Sequence, residues 1–321
     1  MRSDVAARGA IGRRRALQRL LEYYLRAADR ADAVITPQRY RVPLRVRHVR
    51  PLPVSLDDYD GALAWLTTER RNLVAVCVAA GRHGLDVACW QLAYALRGYY
   101  YVVKPLGDWV VTHRAALAAT RRLRDWRAEA STRNNLGLAY LELGRPEAAA
   151  HQYRRAAELA DRAGDRHGVQ TARANHAWLR FTQRRYADFL VEIAPAYTFY
   201  VRAAAHRNAA ITLRGMGLAE GELGRLDEAV THLHEALSVF AEFELRLDVA
   251  MTLNALGDVY LRAGAATDAE RAYRRGLAAA DACGSRFERD RARRGLSGID
   301  KSCVIDYCAA SRGDPRRCDS E

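Results

Sequence analysis

The chain has 321 residues, of which 50% are hydrophobic and 28% are charged, and its formal net charge is +13. This composition excludes a disordered chain, because enough apolar side chains are present to bury a core. The sequence contains no apolar run long enough to cross a bilayer and no signal-peptide core. It therefore predicts a cytoplasmic protein with no membrane partner.

A helix and a proline-rich linker are predicted for the first region, residues 1–56. Apolar residues recur at helical spacing over 13–34, which indicates an amphipathic helix. Residues 36–56 contain four prolines and predict an extended linker. Immediately after this region, Asp57 or Asp58 is placed to cap a second helix that runs through Gly81.

The middle of the chain repeats itself every 40 residues, and the clearest copy is NNLGLAYLELGR at 134–145. A small residue within this motif and its turn glycine both recur at that interval: Gly137 as Ala177, Gly217 and Gly257, and Gly144 as Gly224 and Gly264. A small residue lets two helices approach closely, and glycine ends a helix at a left-handed turn at little cost. The sequence therefore predicts an all-α solenoid over 57–299 with about five hairpins of 40 residues.

The third repeat carries larger side chains than its neighbours. Phe189 stands where the other repeats have alanine, and Trp178 and Phe181 are added. Two interpretations stay open: an aromatic-lined pocket in the middle of the groove, or large side chains that fill the space left by lost glycines. Pro195 lies within the expected second helix and predicts a bend or break there.

A helix near 287–299 is predicted to cap the stack, and residues 300–321 are predicted to form a disordered tail. The tail contains Cys303, Cys308 and Cys318. Their spacing lacks a C-x-x-C pair and no histidine is near, so free thiols are preferred over a metal site or a disulfide. No metal site and no cofactor are predicted for the chain.

The hairpin pattern resembles tetratricopeptide repeats, with a spacing of 40 residues rather than the common length of about 34. Three further segments resemble the C-terminal region of AfsR-like actinobacterial regulators, the SARP and NB-ARC–TPR proteins: LLEYYLRAAD at 20–29, ALAWLTTERRNLVA at 62–75 and GLDVACW at 84–90. This resemblance spans about residues 13–285 and implies a sensor and interaction arm that controls transcription, often of secondary-metabolite genes. The sequence has no phosphate-binding loop and no predicted helix-turn-helix, so the family's ATPase and DNA-binding activities do not carry over.

The first helix of each hairpin lines the concave side of such repeats, so its exposed positions are the predicted contact surface. Three columns of the 40-residue register supply the candidates: Tyr94, Tyr101, Asn134, Trp178, Phe181, Arg214, Asn254 and Asp258. In the family that the pattern resembles, an asparagine of the first column hydrogen-bonds a peptide backbone, and Asn134 and Asn254 match it. The alternative is that these amides bond a neighbouring helix or water.

The sequence thus predicts a protein- or peptide-binding scaffold that acts as the interaction arm of a regulatory system. The expected partners include a separate signalling ATPase or regulator. No nucleophile, acid–base set or catalytic motif is present, so no enzyme is predicted. One alternative is a nucleic-acid-binding accessory protein, suggested by the charge of +13. A second is a small-molecule-binding protein or an enzyme on a repeat scaffold, suggested by the aromatic third repeat.

Overall fold

The computed structural model describes residues 2–41, 43–44, 52 and 54–310, and all regular secondary structure in these residues is helical. The helices of the described chain are α1 (Arg2–Ile35), α2 (Tyr59–Arg82), α3 (Asp86–Ala95), α4 (Arg97–Val103), α5 (Leu106–Leu123), α6 (Trp126–Glu142), α7 (Pro146–Arg162), α8 (Arg166–Thr182), α9 (Tyr186–Arg202), α10 (His206–Glu222), α11 (Leu226–Glu242), α12 (Arg246–Arg262), α13 (Ala266–Ala282) and α14 (Arg286–Ala310). The all-α prediction is confirmed.

Helices α6 to α13 form four hairpins of equal length. Each of these helices has 17 residues. Three residues separate each helix from the next, so a hairpin takes 40 residues, as predicted. The remaining repeat, which is the first along the chain, spans 86–123 and is less regular, because its first helix is interrupted at Leu96 and divided into α3 and α4.

Each reversal between helices contains one residue with a left-handed backbone. These residues recur every 20 positions: Gly84, Lys104, Arg124, Gly144, Gly164, Arg184, Ala204, Gly224, Glu244, Gly264 and Gly284. At one of them, the N–H of Gly144 donates to the carbonyl of Leu141 at 2.9 Å, and the next N–H, of Arg145, donates to Tyr140 at 2.9 Å. These bonds satisfy carbonyls that the end of α6 leaves open.

Small residues in the first helix of a hairpin face a large residue of the second. A Cβ atom added at Gly137 would lie 2.5 Å from the Tyr153 ring, and one added at Gly257 would lie 2.5 Å from the Tyr273 ring. Contacts this short do not occur between real side chains. The recurring glycine is therefore required by the close approach of the paired helices.

The N-terminal helix α1 is longer than the predicted 13–34 and begins at Arg2. Residues 2–12 contain three alanines and no proline, which is compatible with a helix. α1 packs against α2, α3 and α4. Of the two predicted caps of α2, Asp57 and Asp58, the cap is Asp58, whose side chain accepts from the N–H of Gly61 at 2.8 Å. Of the predicted linker, residues 42, 45–51 and 53 lie outside the described residues.

Pro195 does not break the second helix of the third repeat, so that part of the prediction is wrong. α9 is continuous from Tyr186 to Arg202 with the proline inside it. Buried side chains lie on both sides of the proline, at Phe189, Ile193, Ala196 and Tyr200. Their burial stabilises the helix against the loss of one backbone hydrogen bond.

The last helix, α14, extends to Ala310, beyond the predicted end at residue 299. Residues 300–310 contain neither glycine nor proline, so nothing in the local sequence ends the helix there. The predicted tail therefore begins no earlier than residue 311. Cys303 and Cys308 lie within α14, and Cys318 lies outside the described residues.

The chain divides into two compact units, Met1–Thr212 and Leu213–Glu321, with the boundary inside α10. Unit 1 has a core cluster of Leu136, Tyr140, Ala149, Tyr153 and Leu179. Unit 2 has a core cluster of Ala229, Leu233, Leu237, Leu253, Ala255, Leu256, Val259 and Ala272. The region predicted as one solenoid, 57–299, contributes to both units.

The left-handed turns predict a stabilising substitution. Ala204 has φ of 50°, a conformation that costs an L-residue about 1–2 kcal/mol and glycine almost nothing. Glycine also loses more chain entropy on folding than alanine does, which offsets part of this gain. Ala204→Gly is therefore expected to stabilise the protein by about 0.5–1 kcal/mol in thermal unfolding.

The neighbouring alanine supplies the control. Ala203 has φ of −86°, so Ala203→Gly relieves no strain and is expected to leave stability unchanged or lower it. Equal melting temperatures for the two variants would contradict the claim that the backbone is strained at Ala204.

Candidate functional site

Two residues predicted for the first groove column donate hydrogen bonds to the helix two positions further along the chain. The guanidinium of Arg214 donates to the carboxylate of Asp248 at 2.9 Å and lies 5.2 Å from the centre of the Phe240 ring. The amide of Asn254 donates to the Glu288 carboxylate at 2.9 Å. Arg214 is 3% exposed and Asn254 is 0% exposed. The two bonds therefore join α10 to α12 and α12 to α14, and neither buried side chain offers an accessible group to a ligand.

Two further candidates also have partners within their own unit. Asn134 is buried, and its side-chain oxygen accepts from the amide of Asn175 in α8 at 2.9 Å. The carboxylate of Asp258 accepts from the hydroxyl of Tyr273 and, at 2.6 Å, from the guanidinium of Arg291. These contacts fit the alternative that the polar groups of the groove residues bond a neighbouring helix. A ligand-binding role for them stays a prediction.

The aromatic residues of the third repeat form one cluster. The ring of Trp178 lies 5.2 Å from Phe181 and 5.0 Å from Phe189, and Phe181 lies 5.1 Å from Tyr186. Phe189 is fully buried, whereas Trp178 and Phe181 are partly exposed. The rings pack on one another, which supports the space-filling interpretation and leaves part of Trp178 and Phe181 at the surface.

Tyr101 is partly exposed on α4 and has one aromatic neighbour and one cationic neighbour. The ring of Trp109 meets it edge-on at 6.4 Å, and the ammonium of Lys104 lies 4.3 Å from its centre. Lys104 also forms an ion pair with Glu142 of α6. These contacts fix the Tyr101 ring at the junction of the first and second repeats.

Tyr94 contacts a non-helical segment of the same chain. We call residues 36–41, 43 and 44 the linker segment; none of them is helical. The hydroxyl of Tyr94 donates to the main-chain carbonyl of Tyr40 at 2.5 Å, and the amide of Gln91 donates to the main-chain carbonyl of Pro43 at 2.9 Å. The Tyr40 ring lies 5.1 Å from that of His167 in α8. The linker segment thus lies across side chains of α3 and α8.

A buried carboxylate anchors the linker segment. Asp32 of α1 is 0% exposed and accepts from the guanidinium of Arg39 at 2.9 Å and from that of Arg41 at 2.5 Å. Arg39 also donates to the main-chain carbonyl of Tyr94 at 2.9 Å, and it lies 4.2 Å from the centre of that ring. Burial, the largest single effect, lowers the pKa of Arg39, but the charge of Asp32 and the contacts with Tyr94 together outweigh burial and raise that pKa. Arg39 therefore stays charged and paired.

The sequence analysis did not single out Gln91 or Asp32 as site residues, although the sequence contains a feature that points to Asp32. Asp32 continues an apolar stripe of α1 that includes Leu25, Ala28 and Ile35, all of them buried. A carboxylate on such a stripe is costly to bury unless it is paired. It therefore points to a cationic partner. Gln91 left no comparable signal, because its partner is a main-chain carbonyl distant in sequence.

No group of three histidine, cysteine or acidic side chains suited to a metal ion occurs within the described part of the chain. Among the described helices, none is both long and apolar enough to cross a membrane. Cys77, Cys89 and Cys283 are buried, and none of them forms a disulfide within the described residues. Burial raises the pKa of the Cys283 thiol to about 11, so this cysteine is unreactive at neutral pH.

Comparisons with known proteins agree with this architecture. Tetratricopeptide repeat family models match residues 130–163 and 208–282. Among solved structures, the apo form of RapI has a TM-score of 0.51 at 16% identity, covering 69% of this chain and 84% of that chain. Aspartyl phosphate phosphatase F from Bacillus subtilis has a TM-score of 0.52 at 14% identity, covering 78% and 65%. BtubC from P. vanneervenii has a TM-score of 0.49 at 20% identity, covering 81% and 97%.

Because the sequence identities are this low, the similarity to RapI and phosphatase F supports the fold and nothing further. A comparison of the sequence with curated proteins gives no match. The fold, the repeat matches and the site together define the class of protein: a repeat scaffold of tetratricopeptide-like helical hairpins.

The buried pair in unit 2 predicts a large loss of stability. Arg214→Met removes the guanidinium partner of Asp248, whose side chain is 3% exposed. Breaking one side of a buried pair costs about 3–5 kcal/mol, measured as the free energy of urea unfolding.

Arg185→Met is the matched control, because Arg185 pairs with Asp188 at 55% and 47% side-chain exposure. Its loss is expected to cost no more than about 1 kcal/mol. Similar small effects of both substitutions would contradict a structural role for Arg214.

Proposed function

We propose that the chain is a polypeptide-binding scaffold that takes an extended segment on the face formed by α3 and α8 of unit 1. One observation carries this proposal: side chains of α3 donate hydrogen bonds to the main-chain carbonyls of Tyr40 and Pro43. Main-chain carbonyls are present at every residue, so this mode of contact suits an extended chain of varied sequence. The linker segment then serves as an internal ligand of the same face.

The surface beyond the linker segment supplies apolar contacts for such a ligand. Tyr101, Trp178 and Phe181 are partly exposed on the first helices of their repeats. Aromatic side chains bury a large area and are enriched among the residues that dominate binding energies. We therefore place the ligand contacts on these aromatic residues and on Tyr94, rather than on Arg214 and Asn254.

The regulatory part of the proposal rests on the resemblance to AfsR-like regulators. By that resemblance, the scaffold acts as the interaction arm of a transcriptional system, with a separate ATPase or regulator as its partner. The net charge gives weaker support to nucleic acid, because many arginines are engaged in ion pairs. Examples within the described residues are Arg30–Asp57, Arg122–Asp86 and Arg262–Glu222.

A labelled peptide with the sequence of residues 36–44 tests the proposed face. The tethered linker segment has an effective concentration on the order of mM, so it outcompetes a peptide added in trans. The double variant Arg39→Gln/Arg41→Gln removes the cationic partners of Asp32 from the tethered segment and releases it, while Asp32 stays available to the arginines of the added peptide. The peptide is expected to bind this released variant more tightly than the parent chain, measured by fluorescence anisotropy.

Adding Gln91→Met and Tyr94→Phe to the released variant removes both donors to the main chain. Each hydrogen bond contributes about 0.5–1.5 kcal/mol, so the affinity is expected to fall roughly 5- to 150-fold. Tyr197→Phe, which removes a hydroxyl from the second helix of a hairpin, is the control and should leave the affinity unchanged. Peptide binding that is insensitive to Gln91 and Tyr94 would refute the proposed face.

A further inference from the structure

Apolar side chains lie at the surface of α9, the second helix of the third repeat. Val191 is 76% exposed and Val201 is 55% exposed. At about 100° per residue, six positions share one side of the helix, opposite the side that carries the four buried residues of α9. We call these six residues the outer face of α9: Ala187, Val191, Ala194, Pro195, Thr198 and Val201. All of them are exposed except Ala194, which is partly buried.

The corresponding face is polar in the other regular repeats. The positions of α7 that lie 40 residues earlier are all polar: Glu147, His151, Arg154, Arg155, Glu158 and Asp161. At the same six positions, α11 has Ala241 and α13 has Ala278 as its single apolar residue. These hairpins share one architecture, so the folding of a hairpin does not require an uncharged face there. An exposed apolar face in place of a polar one indicates a surface that another molecule covers.

Charged residues of opposite sign flank the outer face at the two ends of α9. Asp188 lies in the first turn, and the exposed Arg202 is the last residue of the helix. At about 100° per residue, both fall on the same flank of the outer face. Antiparallel packing of two identical helices brings the same flanks together, so Asp188 of one copy would lie beside Arg202 of the other. Arg185 of the same copy bonds the Oδ2 atom of Asp188, and the Oδ1 atom can accept from the second copy.

We propose that the outer face of α9 binds the same face of a second copy of this chain, by antiparallel packing about a twofold axis near Ala194. This arrangement places each valine against a smaller side chain. Val201 faces Ala187 of the second copy, and Val191 faces Thr198. The alanine at the axis lets the two helices approach closely.

The length of the outer face indicates how strong this contact is. From Ala187 to Val201 the helix rises about 21 Å, at about 1.5 Å per residue. A contact of this length is smaller than the interface of a permanent dimer, so the dimer forms in a concentration-dependent way. It does not depend on the polypeptide-binding function, because α9 carries none of the residues assigned to the ligand.

Disulfide crosslinking of the full chain tests the position of the axis. Cys303, Cys308 and Cys318 are first replaced by serine. In Ala194→Cys, the new thiol lies beside its own counterpart, so copper phenanthroline is expected to give a disulfide-linked dimer on a non-reducing gel. Arg154→Cys, at the equivalent position of α7, is the matched control and should stay monomeric. Crosslinking of Ala194→Cys that is no faster than that of Arg154→Cys overturns the proposal.

Sedimentation equilibrium over a range of concentrations provides a second measurement. Val191→Glu puts a charge into the contact and is expected to shift the chain to the monomer, while the 76% exposure of Val191 leaves folding unaffected. His151→Glu, at the equivalent position of α7, is the control and should associate like the parent. A parent chain that stays monomeric at every concentration overturns the proposal and leaves the outer face to a different protein.

Charge reversal distinguishes a second copy from any other partner. Arg202→Glu places two acidic groups together at both symmetric ends of the contact and is expected to weaken dimerisation roughly 2- to 30-fold. Asp188→Arg/Arg202→Glu exchanges the two charges and is expected to restore dimerisation, because both residues belong to the same chain. A double variant that associates no better than Arg202→Glu contradicts the antiparallel pairing.

Discussion

The pairing of one buried carboxylate fixes the linker segment on the repeats. Asp32 has no contact with water and is balanced by Arg39 and Arg41. Removing one member of such a pair leaves a charge in the protein interior, which costs several kcal/mol. The ion pair therefore restricts where the chain can run after α1. From that point, the carbonyls of Tyr40 and Pro43 reach donors on α3.

Polar side chains have different uses in the two units. In unit 2, Arg214 bonds α12 and Asn254 bonds α14, and both side chains are buried. A repeat protein gains much of its stability from contacts between neighbouring hairpins, so these pairs serve the stack itself. In unit 1, the side chains of Gln91 and Tyr94 instead bond the main chain of the linker segment. This difference is the reason for placing the ligand on unit 1.

The repeat architecture was predictable because its determinants are local. A small residue at Gly137 and a turn glycine at Gly144 specify the close approach and reversal of one hairpin, and their recurrence gives the number of hairpins. The contacts of the predicted groove residues were not predictable in the same way. Arg214 bonds Asp248, which lies 34 residues later. The two residues therefore do not occupy equivalent positions of the 40-residue repeat, and the repeat pattern does not pair them. The approach of the linker segment to His167 depends on tertiary packing that no sequence pattern encodes.

The position of the linker segment is the central claim, and site-specific photo-crosslinking tests it most directly. A benzophenone side chain in place of Tyr40 puts a reactive group beside His167, whose ring lies 5.1 Å from the tyrosine ring. Mass spectrometry is predicted to find crosslinks to peptides of α8, and these are predicted to disappear in the Arg39→Gln/Arg41→Gln variant. Crosslinks that fall elsewhere, or that persist in the released variant, would contradict the placement of the segment on this face.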